Sequence, residues 1–180
     1  MTEGTERQAP ETAATDPAQA GAGTQVIDTR EGFSEALLAA LEACAEAGVK
    51  QLWLCDPDFA RWPLGQPAVI EALIRWANSR RRLTLLAADY GGFAQRFPRW
   101  VAWRRQWSHI VQCLAVHEEL ADKLPTLLFA PELVAVRLHD GERYRGRVYR
   151  EQADLVQCRE LIEALSQRAD ESFPVTTLGL

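Results

Sequence analysis

The sequence predicts an α/β fold in which a mixed, largely parallel sheet carries helices on both faces. From residue 24 onward, amphipathic helical patterns alternate with short apolar runs that are typical of buried strands. Two later strand patterns, TLLFA and LVAVRL, are separated only by Pro131 and Glu132, which favours an antiparallel pair. The chain has 180 residues, 47% of them hydrophobic, and this is enough for the core of one domain.

The first half of the domain is predicted to run helix, strand, helix, strand, helix, strand. A short edge strand in TQVIDT precedes an amphipathic run that begins at Ser34 and ends at Gly48. QLWLC (51–55) reads as a buried strand that Pro57 ends, because proline cannot continue the pairing. A helix over PAVIEALIRWANS leads to the strand LTLLAA (83–88), and HIVQCLAV (109–116) follows the next helix as the third strand.

The second half is predicted to add a hairpin, one more strand and a closing helix. The strands are expected over 126–130 and 133–138, and Asp140-Gly141 is a turn signal before another strand at 144–149. The closing helix is expected over 153–169. These elements would extend or cover the parallel part of the sheet.

The domain boundaries follow from composition and charge. Residues 1–23 are mostly Ala, Thr, Glu, Gly and Pro, so we expect an acidic, disordered tail, then a single domain over 24–174 and a short tail over 175–180. Residues 1–31 hold six acids against two arginines, a net charge of −4, and the rest of the chain carries −1. A body so close to neutral does not have the strong positive charge of typical nucleic-acid-binding proteins.

Several classes of protein and site are not expected. No apolar run is long enough for a membrane span, and the acidic start is unlike a signal peptide, so we expect a cytoplasmic protein without a membrane partner. The four cysteines lie far apart, which argues against a zinc site or a disulfide framework and favours buried thiols. GxGxxG, P-loop, GxSxG and HExxH motifs are missing, so neither a cofactor nor a metal is predicted.

The stretch FAQRFPRWVAWRRQW (93–107) has two readings. Trp100, Trp103 and Trp107 recur at helical spacing, which favours a helix that covers the sheet with its aromatic face. The alternative is a nucleic-acid surface, in which exposed rings stack on bases while arginines hold phosphates. Residues 75–105 contain eight arginines and one acid, and this alternative would use six of the arginines: Arg80, Arg81, Arg82, Arg99, Arg104 and Arg105. We take the covering helix as the main reading.

Polar residues at the carboxyl ends of the three predicted parallel strands are candidates for ligand binding, because ligands of open α/β sheets bind there. They are Asp56 after the first strand, Asp89 and Tyr90 after the second, and His117 after the third. Converging carboxylates and an imidazole would support acid–base chemistry. Asp and Gly are also common in such turns for purely local hydrogen bonding, so this signal has a structural reading as well.

The order of elements over roughly 33–173 resembles one half of the phospholipase D superfamily. LLAALEACAEAGVKQLWLCDPDF is similar to that superfamily's opening helix and strand, PAVIEALIRWANSRRRLTLLAAD to its next helix and strand, and HIVQCLAV to the strand before its catalytic segment. The closest likeness is a bacterial family in which this fold is degenerate. The resemblance implies an α/β fold, and a homodimer, since catalytic members with one half usually pair.

The superfamily's signature, HxKxxxxD, is not found. The best alignment places it on LPTLLFAP, with Leu124 at the histidine, Thr126 at the lysine and Pro131 at the aspartate. A shifted alignment gives Ala121, Lys123 and Leu128, and keeps only the lysine. Without the histidine the phosphohistidine route has no nucleophile, so no catalytic residue is carried over.

Three hypotheses remain open. The first is a non-catalytic, phospholipase D-like domain that binds or scaffolds an unknown ligand or protein partner. The second is a phosphate- or nucleic-acid-binding protein that uses the six arginines. The third is a hydrolase of different chemistry, which requires Asp56, Asp89 and His117 to converge in one cleft.

Overall fold

The fold of residues 24–174 was obtained as a computed structural model. The tails expected over 1–23 and 175–180 lie outside the described residues. The helices are α1 (Arg30–Glu46), α2 (Pro67–Trp76), α3 (Phe93–Arg96), α4 (Pro98–Gln106) and α5 (Gln152–Ser166), with a 3-10 helix at Glu118–Lys123. The strands are β1 (Gln25–Ile27), β2 (Gln51–Cys55), β3 (Arg82–Ala87), β4 (Val111–Val116), β5 (Thr126–Ala130), β6 (Val134–Asp140), β7 (Arg145–Tyr149) and β8 (Ala169–Glu171).

All eight strands form one mixed sheet with the order β1-β7-β6-β5-β2-β3-β4-β8. β2, β3 and β4 pair in parallel through the crossovers that contain α2 and α4. The five other described pairings are antiparallel, so the sheet is less parallel than the alternating pattern suggests. Only the short 3-10 helix separates β4 from β5, which is too little chain for a parallel crossover, and β5 therefore enters antiparallel to β2.

Helices cover the two faces of the sheet unequally. The larger core lies between the sheet and α1 to α4, and it contains the largest buried rings, among them Trp76, Trp100 and Phe93. The smaller core lies beneath α5, where Leu155, Cys158 and Ile162 pack against β2 to β6 and the 3-10 helix. The predicted arrangement of helices on both faces is confirmed, with most of the apolar burial on one of them.

The closing helix is shorter than its apolar pattern indicates. α5 ends at Ser166, and residues 169–171 form β8, which pairs with the outer edge of β4. The amide of Ser172 then donates to the Cys113 carbonyl at 3.0 Å, so the chain stays attached to β4 after β8. Three residues of edge strand have too short a pattern to be separated from a helix end in sequence.

All four cysteines are buried in the described domain, and this affects stability at alkaline pH. Burial raises the pKa of the Cys44 thiol to about 12, against the opposing influence of Arg81 and Arg150. In the unfolded chain the same thiol ionises near pH 9. Its contribution to stability is therefore complete below that pH and is lost as the pH rises toward 12.

We expect Cys44→Ala to weaken the alkaline loss of stability. Between about pH 8 and pH 10 the wild-type chain should lose roughly 1 kcal/mol more of its free energy of unfolding than the variant, because the variant lacks this thiol. Urea unfolding at the two pH values measures the difference. Equal losses in both proteins would mean that the Cys44 thiol is not held protonated by the fold.

Candidate functional site

The strand-end region comprises the turns that follow β2, β3 and β4. The turns after β2 and β3 are joined, because the amides of Ala88 and Asp89 both donate to the Pro57 carbonyl, at 3.0 and 3.1 Å. The turn after β4 leads into the 3-10 helix, and the His117 amide donates to the Arg168 carbonyl at 3.2 Å. The first two turns therefore form one unit, and the third is attached to the end of α5.

Asp56 is the polar residue at the centre of this region, and its carboxylate is fully engaged. It is 5% exposed, and its Oδ1 accepts the amides of Asp58 at 3.1 Å and Phe59 at 2.7 Å. Its Oδ2 accepts the hydroxyl of Thr126, at the start of β5, at 2.6 Å. These bonds hold the turn after β2, in which Phe59 adopts a positive φ of 57°. Buried carboxylates require such partners, so Asp56 is a structural residue in this geometry.

Of the residues aligned with the phospholipase D signature, Thr126 contacts Asp56. Leu124 is 7% exposed and packs into the core beneath α5, while Thr126 is occupied by the Asp56 carboxylate. Pro131 follows the far end of β5. Lys123, the one basic residue of the shifted alignment, is exposed in the last turn of the 3-10 helix. In the best alignment the signature positions are therefore occupied by two aliphatic side chains and by a hydroxyl that already donates its hydrogen bond to Asp56.

Asp89 and Tyr90 point in different directions after β3. Asp89 is exposed and its Oδ1 accepts the Gly91 amide at 2.8 Å. Tyr90 is 9% exposed, and its hydroxyl lies 3.1 Å from the Leu85 carbonyl and 3.0 Å from the Leu114 carbonyl, so it links β3 to β4. Burial raises the pKa of this phenol far above its usual range. Tyr90 is consequently a neutral donor inside the larger core.

His117 lies at the surface, at the opposite side of the region from Asp56. Its Nε2 is 3.2 Å from Asp170 Oδ2, and both side chains are largely exposed. The shallow depression next to it is lined by His117, Glu118 and Glu119. Among residues 24–174, no group of three or more His, Cys, Asp or Glu is arranged to hold a metal ion.

The four candidates at the strand ends therefore have separate local partners. The structure brings the turns of Asp56 and Asp89 together, but it buries the first carboxylate and leaves the second at the surface. The Tyr90 hydroxyl donates to a backbone carbonyl of the sheet, and the His117 imidazole contacts the Asp170 carboxylate. Shared catalytic chemistry needs groups within hydrogen-bond reach of one substrate, and none of the hydrogen bonds described above joins two of these four side chains.

The aromatic stretch 93–107 forms a wall of the larger core. Trp100 is completely buried and Trp103 is 3% exposed, with their ring centroids 6.0 Å apart. Phe93 contacts Trp100 and Phe97 edge to face, at 5.1 and 4.9 Å between ring centroids. Rings in such packing cannot stack on bases, so the main reading of this stretch agrees with the structure.

The six arginines do not share one environment. Arg80, Arg82 and Arg105 are exposed. Arg81 lies over the Trp76 ring, 5.6 Å from its centroid, and donates to the Trp76 carbonyl, while Arg99 donates to the Gly65 carbonyl at 3.2 Å. Both therefore bond to the protein backbone.

Arg104 is only 5% exposed and holds the end of the described chain. Its Nη1 donates to the Phe173 carbonyl at 2.6 Å, and its guanidinium carbon lies 5.0 Å from the centroid of the Phe173 ring. The same ring stacks on Tyr90, with 5.3 Å between centroids and 6° between planes. Arg104 thus anchors the segment after β8 against the aromatic core.

A groove of about 610 Å³ lies at the edge of the sheet near β4 and β8. Two of the predicted arginines contribute to it together with a histidine and several polar side chains; the lining is Arg82, Arg104, His109, Ile110, Val111, Gln112, Cys113, Glu171, Ser172 and Pro174. The described chain ends beside this groove, at Pro174.

A second basic surface was missed in the sequence. Arg137 of β6 and Arg147 of β7 are directly opposite in the antiparallel register, on the sheet face that carries α5. The signal was the alternation in RLHDGERYRGRVYR, because residues two apart on a strand share a face. The eight arginines of residues 75–105 are the stronger signal of positive charge in the sequence.

No known protein family matches the sequence, and no curated protein matches it either. Solved structures with a similar fold include the following two. One is TrmBL2, described as an archaeal chromatin protein with a novel mode of DNA binding, with a TM-score of 0.57 and 13% identity over 89% of this chain. This chain spans 57% of that protein's length.

The other is Nuc from Salmonella typhimurium, described as a phospholipase D family member. It has a TM-score of 0.56 and 7% identity over 84% of this chain, and 98% of Nuc is covered. None of the helices in the described part of the chain is both long and apolar enough to cross a membrane. At these identities the likeness concerns the fold alone: the domain is an α/β domain with a phospholipase D-like fold.

Proposed function

We propose that this chain is a non-catalytic, phospholipase D-like domain that binds or scaffolds a partner. The observation that carries the proposal is the closed state of the strand-end region: Leu124 is buried in the core, and Asp56 and Thr126 satisfy each other at 2.6 Å. A phosphohistidine mechanism needs an imidazole there, aimed at a space that a phosphate can enter. The pairing of two such domains into a homodimer belongs to the same proposal, on the strength of the family resemblance.

We expect Thr126→Val to destabilise the fold. The substitution keeps the shape of the side chain but leaves Asp56 Oδ2 buried without its donor, which should lower the free energy of unfolding by about 1–3 kcal/mol. Thr126→Ser retains the hydroxyl and serves as the matched control. Urea unfolding measures both, and a Thr126→Val protein as stable as the wild type would remove the structural role that we assign to this pair.

We also expect no phosphodiesterase activity on phospholipids or nucleic acids. Product release by the purified chain should stay at background, and Lys123→Ala should leave that rate unchanged because Lys123 is an exposed side chain of the 3-10 helix. Activity that is present in the wild type and lost in Lys123→Ala would overturn the proposal. It would favour the shifted alignment of the signature.

A second candidate function is the binding of phosphate groups, including those of nucleic acids. It is favoured by the groove near β4 and β8, where Arg82 and Arg104 meet His109 and Gln112, and by the description of TrmBL2 as a DNA-binding chromatin protein. Arg80 and Arg105 are exposed and available to such a ligand. Arg81, Arg99 and Arg104 already bond to backbone carbonyls, so they would contribute less than arginines without such bonds.

Salt dependence tests this second function. If the arginines neutralise phosphates, oligonucleotide affinity should fall steeply between about 50 and 200 mM salt, with a log–log slope of roughly −0.7 to −0.9 for each phosphate contacted. Arg82→Gln with Arg105→Gln should weaken binding and flatten the slope, and Arg61→Gln with Arg168→Gln removes the same charge from other exposed positions. Fluorescence anisotropy measures the affinity and its salt dependence. An affinity that does not change with salt, or with either pair of substitutions, would exclude phosphate binding by these arginines.

A further inference from the structure

The sheet face beside α5 is left uncovered at Arg147 of β7 and Val26 of β1. α5 packs against β4, β5 and β6, and its core includes Ala135 of β6 and has Tyr149 of β7 at its margin. In the row of the sheet that contains Leu127, however, the core ends at β5. The register partner of Leu127 is Arg137 on β6, whose partner is Arg147 on β7, whose partner is Val26 on β1. Arg147 is exposed, and Val26 is 62% exposed. We call the side chains of Val26, Arg137, His139, Arg147 and Tyr149 the basic face.

The two arginines of the basic face stand opposite each other without an acid between them. Like charges directly across an antiparallel pair destabilise a sheet. Neither Arg137 nor Arg147 takes part in a salt bridge with a described residue, and the Nε of Arg137 is buried without a hydrogen-bond partner there. An anionic occupant would relieve the repulsion and provide the missing acceptors.

The remaining neighbours compensate this charge only in part, through Asp154. His139 Nε2 lies 2.7 Å from the Tyr149 hydroxyl, and burial, with Arg137 and Arg147 nearby, lowers the pKa of this imidazole. Asp154 of α5 is the acid that reaches Tyr149 from the covered side. Over residues 137–150 there are five arginines and two acids, a net charge of +3.

The chain itself supplies a complementary segment. Residues 1–23 contain four acids, Glu3, Glu6, Glu11 and Asp16, and one arginine, a net charge of −3. They join the described domain at β1, where Val26 is the register partner of Arg147. The attachment point is thus about 5 Å from Arg147, one strand spacing away.

This tether makes an intramolecular contact favourable. The nine residue-to-residue steps from Asp16 to Gln25 can span up to about 30 Å, several times the distance required. A covalent connection of this length keeps the acids at an effective concentration in about the millimolar range. We propose that the basic face is a docking site for the acidic segment 1–23 of the same chain, which thereby competes with other anions for Arg137 and Arg147.

A spin label on the acidic segment of the 180-residue chain tests the docking. The four native thiols are buried, so Ala13→Cys provides the reactive site for the label. NMR spectra should show the amide signals of residues 146–148 reduced at least twofold relative to the diamagnetic sample. The signals of β8, about six strand spacings or 29 Å across the sheet, should be unaffected.

Proximity of the tether alone also broadens signals near β1, so charge must be varied. Arg147→Gln, and Arg137→Gln with Arg147→Gln, should restore the signals of residues 146–148 at least twofold. Arg61→Gln with Arg168→Gln, a matched loss of exposed charge elsewhere, should not restore them. The single substitution at exposed Arg147 keeps the test valid if the half-buried Arg137 is needed for folding.

Three outcomes would overturn the proposal. The first is equal broadening in the wild type and in Arg147→Gln. The second is broadening that appears when an unlabelled, isotope-enriched chain is mixed with a spin-labelled one, because the occupant would then be a second copy. The third is that the spin-labelled acidic segment causes no broadening at residues 146–148 while an added oligonucleotide shifts their amide signals. The basic face would then bind an external polyanion.

Discussion

The antiparallel pairing of β5 with β2 joins two differently built parts of the sheet. On one side β2, β3 and β4 run parallel, and on the other β5, β6, β7 and β1 form an antiparallel extension. The Asp56 carboxylate ties the end of β2 to the start of β5 through the Thr126 hydroxyl, at 2.6 Å. This junction holds the strand-end region in place. The carboxylate and hydroxyl oxygens in it already bond to each other, so they are not free to bind a ligand there.

We place the proposed binding of anions on two basic surfaces and not at the strand ends. The groove near β4 and β8 combines Arg82 with Arg104, which is itself held by Phe173. The basic face on β6 and β7 has two arginines in register that form no salt bridge with a described residue, and it lies next to the start of the described chain. The two surfaces lie toward opposite edges of one sheet, so the binding proposed for each can be tested separately.

Periodic apolar patterns predicted the domain and its element order well. Buried runs such as QLWLC and the helix pattern before it are local signals, and the structure places both near their expected bounds. The closing helix and the balance of parallel and antiparallel strands depend on chain crossings that no local pattern reports. The sequence could identify Asp56 as polar, but the partner that buries it, Thr126, lies seventy residues away.

An experimental structure of the chain with phosphate is the most direct test of a strand-end region closed to catalysis. We predict that Asp56 and Thr126 remain hydrogen-bonded, that Leu124 stays in the core, and that any bound anion lies on arginines elsewhere. A phosphate held by histidine and lysine side chains at the centre of a two-fold assembly would contradict the account, because it would mean that the signature was aligned in the wrong register and that the domain is catalytic.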